Sequence, residues 1–265
     1  MSFLRNGVLA PDPARESLDN FVLDLWRNRE SIDSWQNIEA RAHSSNVRNV
    51  SFHPQAFFRE LASTAGISDD HVISLETPTG QRLPAPERLD RLAPDEVGYL
   101  HISRPGAVDE AGTKIAVNVG VDAAPSVLRD LVRDVLGNPD FPGITDIAVK
   151  GPLVDRADGI VITIDDAGTV QRLVQWLNEY RQDGRHYLFR PDIPAMMHQA
   201  GYGIGVMDRT PANNLGEVQA RQLFAAMRST IEGGGGLGTF REKVHELFLR
   251  NGIDPMHPYR AVGRR

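Results

Sequence analysis

From about residue 98 onward, short apolar runs of strand length alternate with amphipathic stretches of helix length, which limits the chain to a sheet with helices packed against it. The strand-like runs are 98–103, 114–120, 145–150, 160–165, 186–189 and 202–207. Four helices fall between and after them. The first, 124–136, has Pro125 in its opening turn and an inner face of Val127, Leu128, Leu131, Val132 and Val135. The second, 166–182, follows two aspartates that can cap it and presents Val170, Leu173, Val174, Leu177 and Tyr180. The third, 215–231, follows Asn214 as N-cap, and the fourth, 240–250, starts from Thr239 and Glu242 at capping-box spacing. The expected fold is α+β: a mostly antiparallel sheet with helices on one side, preceded by a small helical N-terminal unit. A doubly wound parallel sheet is the competing topology, because strands and helices do alternate.

Residues 1–66 form that N-terminal unit, with Leu18, Phe21, Val22 and Leu25, then Ile32, Trp35 and Ile38, then Phe57, Phe58 and Leu61 at helical spacing. Residues 67–97, rich in Pro, Asp and Arg, read as a linker or exposed arm with a possible hairpin at Thr77-Pro78-Thr79-Gly80. The α+β domain then covers 98–265. Residues 1–110 hold 11 Arg against 17 acidic groups, whereas 111–265 balance 18 basic with 18 acidic residues. With no basic stripe, general nucleic-acid binding is not expected. An anionic substrate would have to be met by a few placed cations. The absence of cysteine rules out disulfides and Cys-held metals, no apolar run is long enough to span a bilayer, and the opening residues lack a secretory stretch. The expected address is the cytoplasm.

Several motifs fail on context. Gly233–Gly238 satisfies G-x-G-x-x-G but follows a helix instead of a strand. His245-Glu246 begins a zinc-protease signature that Leu249 breaks, and Asn49-Val50-Ser51 is a glycosylation sequon only if the chain is secreted. There is no nucleophile elbow and no Walker A sequence.

Of 29 basic residues only three are lysine: Lys114, Lys150 and Lys243. Lys243 lies on the exposed face of a helix. Lys114 and Lys150 stand at the ends of expected strands, where one reading is an edge charge that blunts strand pairing. The other uses what arginine lacks: a lysine beside other cations can lose its proton and act as a base. Two such cations with nearby arginines would make a pocket for a phosphate monoester next to a base, which suggests β-elimination.

The segments KIAVNVGVDAAPSVLRDLVRDVL from Lys114, TDIAVKGP (145–152), GIVITIDD (159–166), PAMMHQAGYGIGVMDR from Pro194, NLGEVQAR (214–221) and GIDPMHPYR (252–260) resemble the HopA family of type III effectors. They also resemble the related HopA-like lyases of class V lanthipeptide and thioviridamide-type biosynthesis, and more distantly the phosphothreonine lyase effectors. The resemblance implies Lys150 as the base that removes the Cα proton of phosphoserine or phosphothreonine. It implies Lys114, Arg209, Arg221 and Arg156 as phosphate ligands. Where the effector lyases carry Lys-x-His, with the histidine protonating the leaving phosphate, this chain has Lys114-Ile115-Ala116, and Thr163 stands nearest their tyrosine. His101, on a strand expected to neighbour that of Lys114, is the alternative proton donor. His186, His198 and Tyr202 are lesser candidates, and Arg181, Arg185 and Arg190 form either a solvated helix end or a docking surface for acidic peptide.

The implied activity is elimination of phosphate from a precursor peptide to leave dehydroalanine or dehydrobutyrine. It needs no cofactor and no metal, and its partners are the phosphorylated peptide and a separate kinase-like protein, without nucleic acid or membrane. The alternatives are a non-catalytic phosphopeptide- or kinase-binding subunit and an effector acting on host phosphoproteins.

Overall fold

The computed structural model describes residues 4–5, 8–9, 13–43, 71–77, 81–84, 97–106, 112–151, 156–209 and 215–261. The expectations for Phe57, Phe58, Leu61, the sequon at Asn49 and the Asn214 cap lie outside them. In chain order, the elements begin with the two-stranded β1 (Leu4–Arg5) and β2 (Val8–Leu9), then helices α1 (Pro13–Arg27) and α2 (Trp35–Ala42). Strands β3 (Val72–Glu76), β4 (Arg82–Pro84), β5 (Tyr99–Ser103) and β6 (Gly112–Val117) follow, then α3 (Ala124–Leu131), which widens into a π-type turn over Val132–Leu136. Next come β7 (Ile144–Lys150), β8 (Ile160–Ile164), α4 (Ala167–Gln182), β9 (His198–Gly201), β10 (Ile204–Arg209), α5 (Leu215–Glu232) and α6 (Leu237–Arg250).

Eight strands form one sheet in the order β4-β3-β5-β7-β8-β6-β10-β9. The registered pairs from β4 through β6 are all antiparallel, which excludes the doubly wound parallel alternative. β-Branched residues alternate along these strands and define the two faces. Leu100 and Ile102, Ile115 and Val117, Ile147 and Val149, and Ile160, Ile162 and Ile164 join one core with Val127, Leu128 and Leu131 of α3 and Leu173 and Leu177 of α4. The fold is α+β with helices packed on one face of the sheet. The helix α4 starts where the sequence placed it, because the Asp166 side chain accepts from Thr169 N at 2.6 Å.

The differences from expectation are local. Within 67–97, where the sequence suggested a linker or arm with a hairpin, β3 and β4 form a hairpin and β3 pairs with β5 in the main sheet. The expected strand 186–189 is instead a single 3-10 turn, His186–Leu188, stopped by Pro191, and only Phe189 bridges to Val119. The strand expected at 202–207 begins only at Ile204, because Tyr202 and Gly203, the latter with φ +68, form the turn of a hairpin between β9 and β10. Helix α6 begins at Leu237, before the Thr239 capping box, because the glycine run is a tight turn. Gly234 takes φ +67 there, and Gly235 N donates to Thr230 O at 2.9 Å.

Contacts divide the chain into two compact units, Met1–Ala42 with Ala195–Gln199 and Met207–Arg265, and His43–Pro194 with Ala200–Val206. In the first, α1 packs on α6, α2 on α5, and α5 on α6. Leu25, Ile38, Leu223, Phe240 and Phe248 are fully buried there, and Trp26 stacks on Phe240 with ring centroids 5.5 Å apart. The second holds the strand and helix core just described. No described helix is long and apolar enough to cross a membrane.

Candidate active site on the polar face of the sheet

Strand register alone decides which side chains leave the helix-packed core, since side chains alternate and directly paired residues share a face. Tyr99 pairs with Lys150, His101 with Ala148, Ala148 with Val161, Ala116 with Val161, Lys114 with Thr163, and Thr163 with Asp146. All of these therefore lie on the face opposite the core. The row Ala116, Val161, Ala148 separates the Lys114 row from the Lys150 row, and both alanines are buried. The two lysines thus stand on one face, two strands apart and on either side of that small-residue row, and both act electrostatically on His43 and Glu76.

Around Lys150 the polar groups are closely connected. Its Nζ sits 4.0 Å from the centroid of the Tyr99 ring, a cation–π contact that favours the charged ammonium. The Tyr99 hydroxyl donates to Asp158 Oδ2 at 3.1 Å, and Arg156 grips both oxygens of the same carboxylate at 2.7 and 2.9 Å. The ring of His43, reached just past the end of α2, brings Nδ1 to 3.4 Å from Asp158 Oδ2 without making a hydrogen bond. Burial works against an ionised Asp158, but the His43 and Arg156 charges, the Arg156 hydrogen bonds and Lys150 hold its pKa far below the usual carboxylate range. Burial pushes the Tyr99 phenol well up, and the neighbouring Asp158 charge adds to it. Burial also pushes His43 down to about 4, with Asp158 opposing and Arg156, Lys150 and Lys114 reinforcing.

His101 belongs to a second cluster on this face. Its Nδ1 donates to Asp146 Oδ2 at 2.8 Å and its Nε2 to Glu76 Oε2 at 3.2 Å. Ser103 Oγ donates to Asp146 Oδ1 at 2.6 Å, and Arg82 bridges Ser74, Ser103 and Asp146 at 2.7, 2.8 and 3.2 Å. Burial would lower the pKa of His101, but hydrogen bonds to Asp146 and Glu76 outweigh it and the net shift is upward. His101 is thus an imidazolium clamped between two carboxylates, both with lowered pKa values. One expectation is corrected: β7 and β8 lie between β5 and β6, so the strand of His101 does not neighbour that of Lys114.

These two histidines predict a stability optimum. The folded pKa of His101 is raised, so its contribution is complete below about 6.5, the unfolded histidine value, and is lost as pH rises through the raised value. His43 has a lowered folded pKa, so its contribution is present above about 6.5 and is lost as pH falls toward 4, a difference of roughly 3 kcal/mol. Urea-unfolding midpoints are expected to fall on both the acid and the alkaline side of neutrality; a midpoint unchanged between pH 7 and pH 4.5 contradicts the buried, neutral His43.

The compact unit His43–Pro194 with Ala200–Val206 holds Lys114, Lys150, His101 and Arg156, and within it Arg156 commits Nε and Nη2 to Asp158. Arg209 and Arg221 belong to the other unit. Arg209 ends β10 with its side chain outside the described residues, and the exposed Arg221 on α5 stacks over the Trp35 ring at 4.5 Å. Thr163, paired with Lys114, is buried on the polar face. Of the lesser candidates, Arg181 covers the Tyr202 ring, Arg185 pairs with Asp183, His186 meets Tyr187 edge-on, and His198 packs on Tyr259. Lys243 Nζ donates to Ser229 O and Oγ, tying α6 to α5. Among the described residues no group of three or more His, Asp or Glu is placed to hold a metal ion.

Sequence reasoning missed Tyr99, Asp158, Asp146, Glu76 and His43. The alternation of Tyr99 and His101 in YLHIS, and the spacing of Arg156 and Asp158, were available signals of a shared face. Nothing local could have linked His43 to a loop more than a hundred residues away.

A model of the HopA1 effector protein family matches residues 99–260. Among solved structures, the effector protein from Pseudomonas syringae pv. tomato strain DC3000 is similar with a TM-score of 0.69 at 16% identity, over 94% of this chain and 99% of that one. The effector protein from Pseudomonas syringae pv. syringae strain 61 gives 0.71 at 13% identity, over 96% of this chain and 100% of that one. At these identities the likeness is one of fold, and the search of curated proteins returned no match. The family match covers more than half of the chain, on the strands that carry Lys114 and Lys150 and on the helices behind them: the chain belongs to the HopA1 effector protein family.

Proposed function

We propose that the protein is a peptide phosphoserine/phosphothreonine lyase acting on the polar face of the sheet. The observation that supports this reading is the pair Lys114 and Lys150, set on one face of the sheet on either side of the buried alanine row, with charges that both act on His43 and Glu76. A phosphate monoester bridging that gap would meet Lys114 at its oxygens and Lys150 at its Cα proton. Lys150 in its neutral form takes the proton, the C–H electron pair becomes the Cα=Cβ double bond, and the Cβ–O bond breaks with its pair leaving on phosphate. Positive neighbours favour a lysine that can lose its proton, and on this reading Lys114 is the cation that does so for Lys150. The products would be dehydroalanine or dehydrobutyrine in a ribosomally made peptide and inorganic phosphate, formed in the cytoplasm without a cofactor. A separate kinase-like partner would supply the phosphorylated precursor.

One observation favours a second reading. The Tyr99 ring stabilises Lys150 as an ammonium, and Ala116 stands where the effector lyases carry their acid. A site kept in that state would bind phosphopeptide without eliminating, as a subunit supporting the kinase or as an effector on host phosphoproteins. Mass spectrometry of a phosphothreonine or phosphoserine peptide incubated with the protein separates the two. Loss of phosphoric acid from the peptide is the expected result; intact phosphopeptide that is nonetheless bound would establish the second reading.

A further inference from the structure

His43 lies in the N-terminal segment, outside the residues matched by the family model, yet the fold fixes it against Asp158, the carboxylate shared by Arg156 and Tyr99. Its main-chain carbonyl accepts from Ala157 N at 2.9 Å, which fastens His43 itself to the loop before β8. The ring is packed away with a side-chain exposure of 9%, and its Nδ1 is turned toward Asp158 Oδ2 at 3.4 Å without a hydrogen bond. The groups that act on it come from several elements: Asp158 and Arg156 from the loop, Lys150 from β7 and Lys114 from β6. Tyr99 of β5 shares Asp158 with it. Burial first, and then the charges of Arg156, Lys150 and Lys114, outweigh Asp158 and favour the neutral imidazole. Two positions along β6 from Lys114 stands Ala116, which has no proton to give.

We propose that His43 is the proton-coupled partner of phosphate in this site: arrival of a phosphate monoester between Lys114 and Lys150 draws a proton onto its imidazole, and that proton is returned to the bridging oxygen as the phosphate departs. The second half rests on the lyase reading above. The charge logic is direct. A phosphate dianion cancels the cations that keep the ring neutral, Asp158 then dominates, and the imidazolium gains the Nδ1–H to Asp158 interaction that the resting ring lacks. With Nδ1 turned to Asp158, Nε2 is the nitrogen left to meet the leaving oxygen. The balance closes: solvent supplies one proton on binding, Lys150 takes one from Cα, and His43 releases one to phosphate.

Histidine ring titration by NMR, with the His43 signal assigned by its loss in His43→Gln, reads the first half without any turnover. In the unsubstituted protein with saturating inorganic phosphate, the His43 pKa is expected to move from about 4 to near or above neutrality. An unmoved His43, or no phosphate binding at all, overturns the inference. On a phosphopeptide, His43→Gln is expected to lower kcat about 100-fold with little change in KM. A phosphate-responsive His43 in a protein that eliminates nothing retires the lyase reading and supports the proton coupling. Full-rate elimination by His43→Gln does the reverse.

Discussion

Replacing Asp158 with alanine is expected to destabilise the protein by about 3–5 kcal/mol at neutral pH, a loss characteristic of breaking a buried ion pair. Asp158 is 4% exposed and accepts from the Arg156 fork and the Tyr99 hydroxyl. Its removal strands the guanidinium, whose side chain is only 17% exposed, and leaves a buried phenol without an acceptor. His43 loses the one neighbour that favours its protonation. Urea unfolding of Asp158→Ala against the unsubstituted protein measures the effect. A loss below about 1 kcal/mol, the value of an exposed pair, would mean that Asp158 is not the hub of the site.

The sheet was legible because its strands carry the pattern that burial imposes. In TDIAVK the β-branched residues recur at every second position, in IVITI the isoleucines do, and the intervening residues lie on the polar face. Alternation, together with the helix faces at 124–136 and 166–182, was enough for the fold class, because one apolar face of sheet needs one layer of helices to cover it. Strand order was not legible. His101 was expected beside Lys114, but a sequence does not encode which strands are neighbours when all are short and apolar, and the observed order places β7 and β8 between them. The site was half visible for the same reason. Lys114 and Lys150 stood out by residue type alone, whereas Asp158 and His43 acquire meaning only when the loop before β8 meets His43, more than a hundred residues earlier in the chain. The acidic excess of residues 1–110 gave no sign of His43, because net charge over a segment says nothing about a single buried imidazole.

The other large effect falls on Lys150. Lys150→Arg is expected to abolish phosphate elimination, with a loss of about 10²–10⁴-fold, while leaving the fold and phosphopeptide binding intact. Arginine preserves the positive charge and stacks on an aromatic ring as lysine does, so the Tyr99 contact survives the substitution. The property removed is the ability to exist as a neutral amine at neutral pH. The substitution therefore separates a lysine that binds phosphate from a lysine that takes a proton, two roles that an alanine variant would confound.

The most direct test of a lyase on this sheet face compares the unsubstituted protein and Lys150→Arg on one phosphothreonine peptide, following the peptide by mass spectrometry and its binding in parallel. The account predicts a dehydrated product from the unsubstituted protein and intact, still-bound phosphopeptide from Lys150→Arg. Elimination by Lys150→Arg at the unsubstituted rate would contradict it.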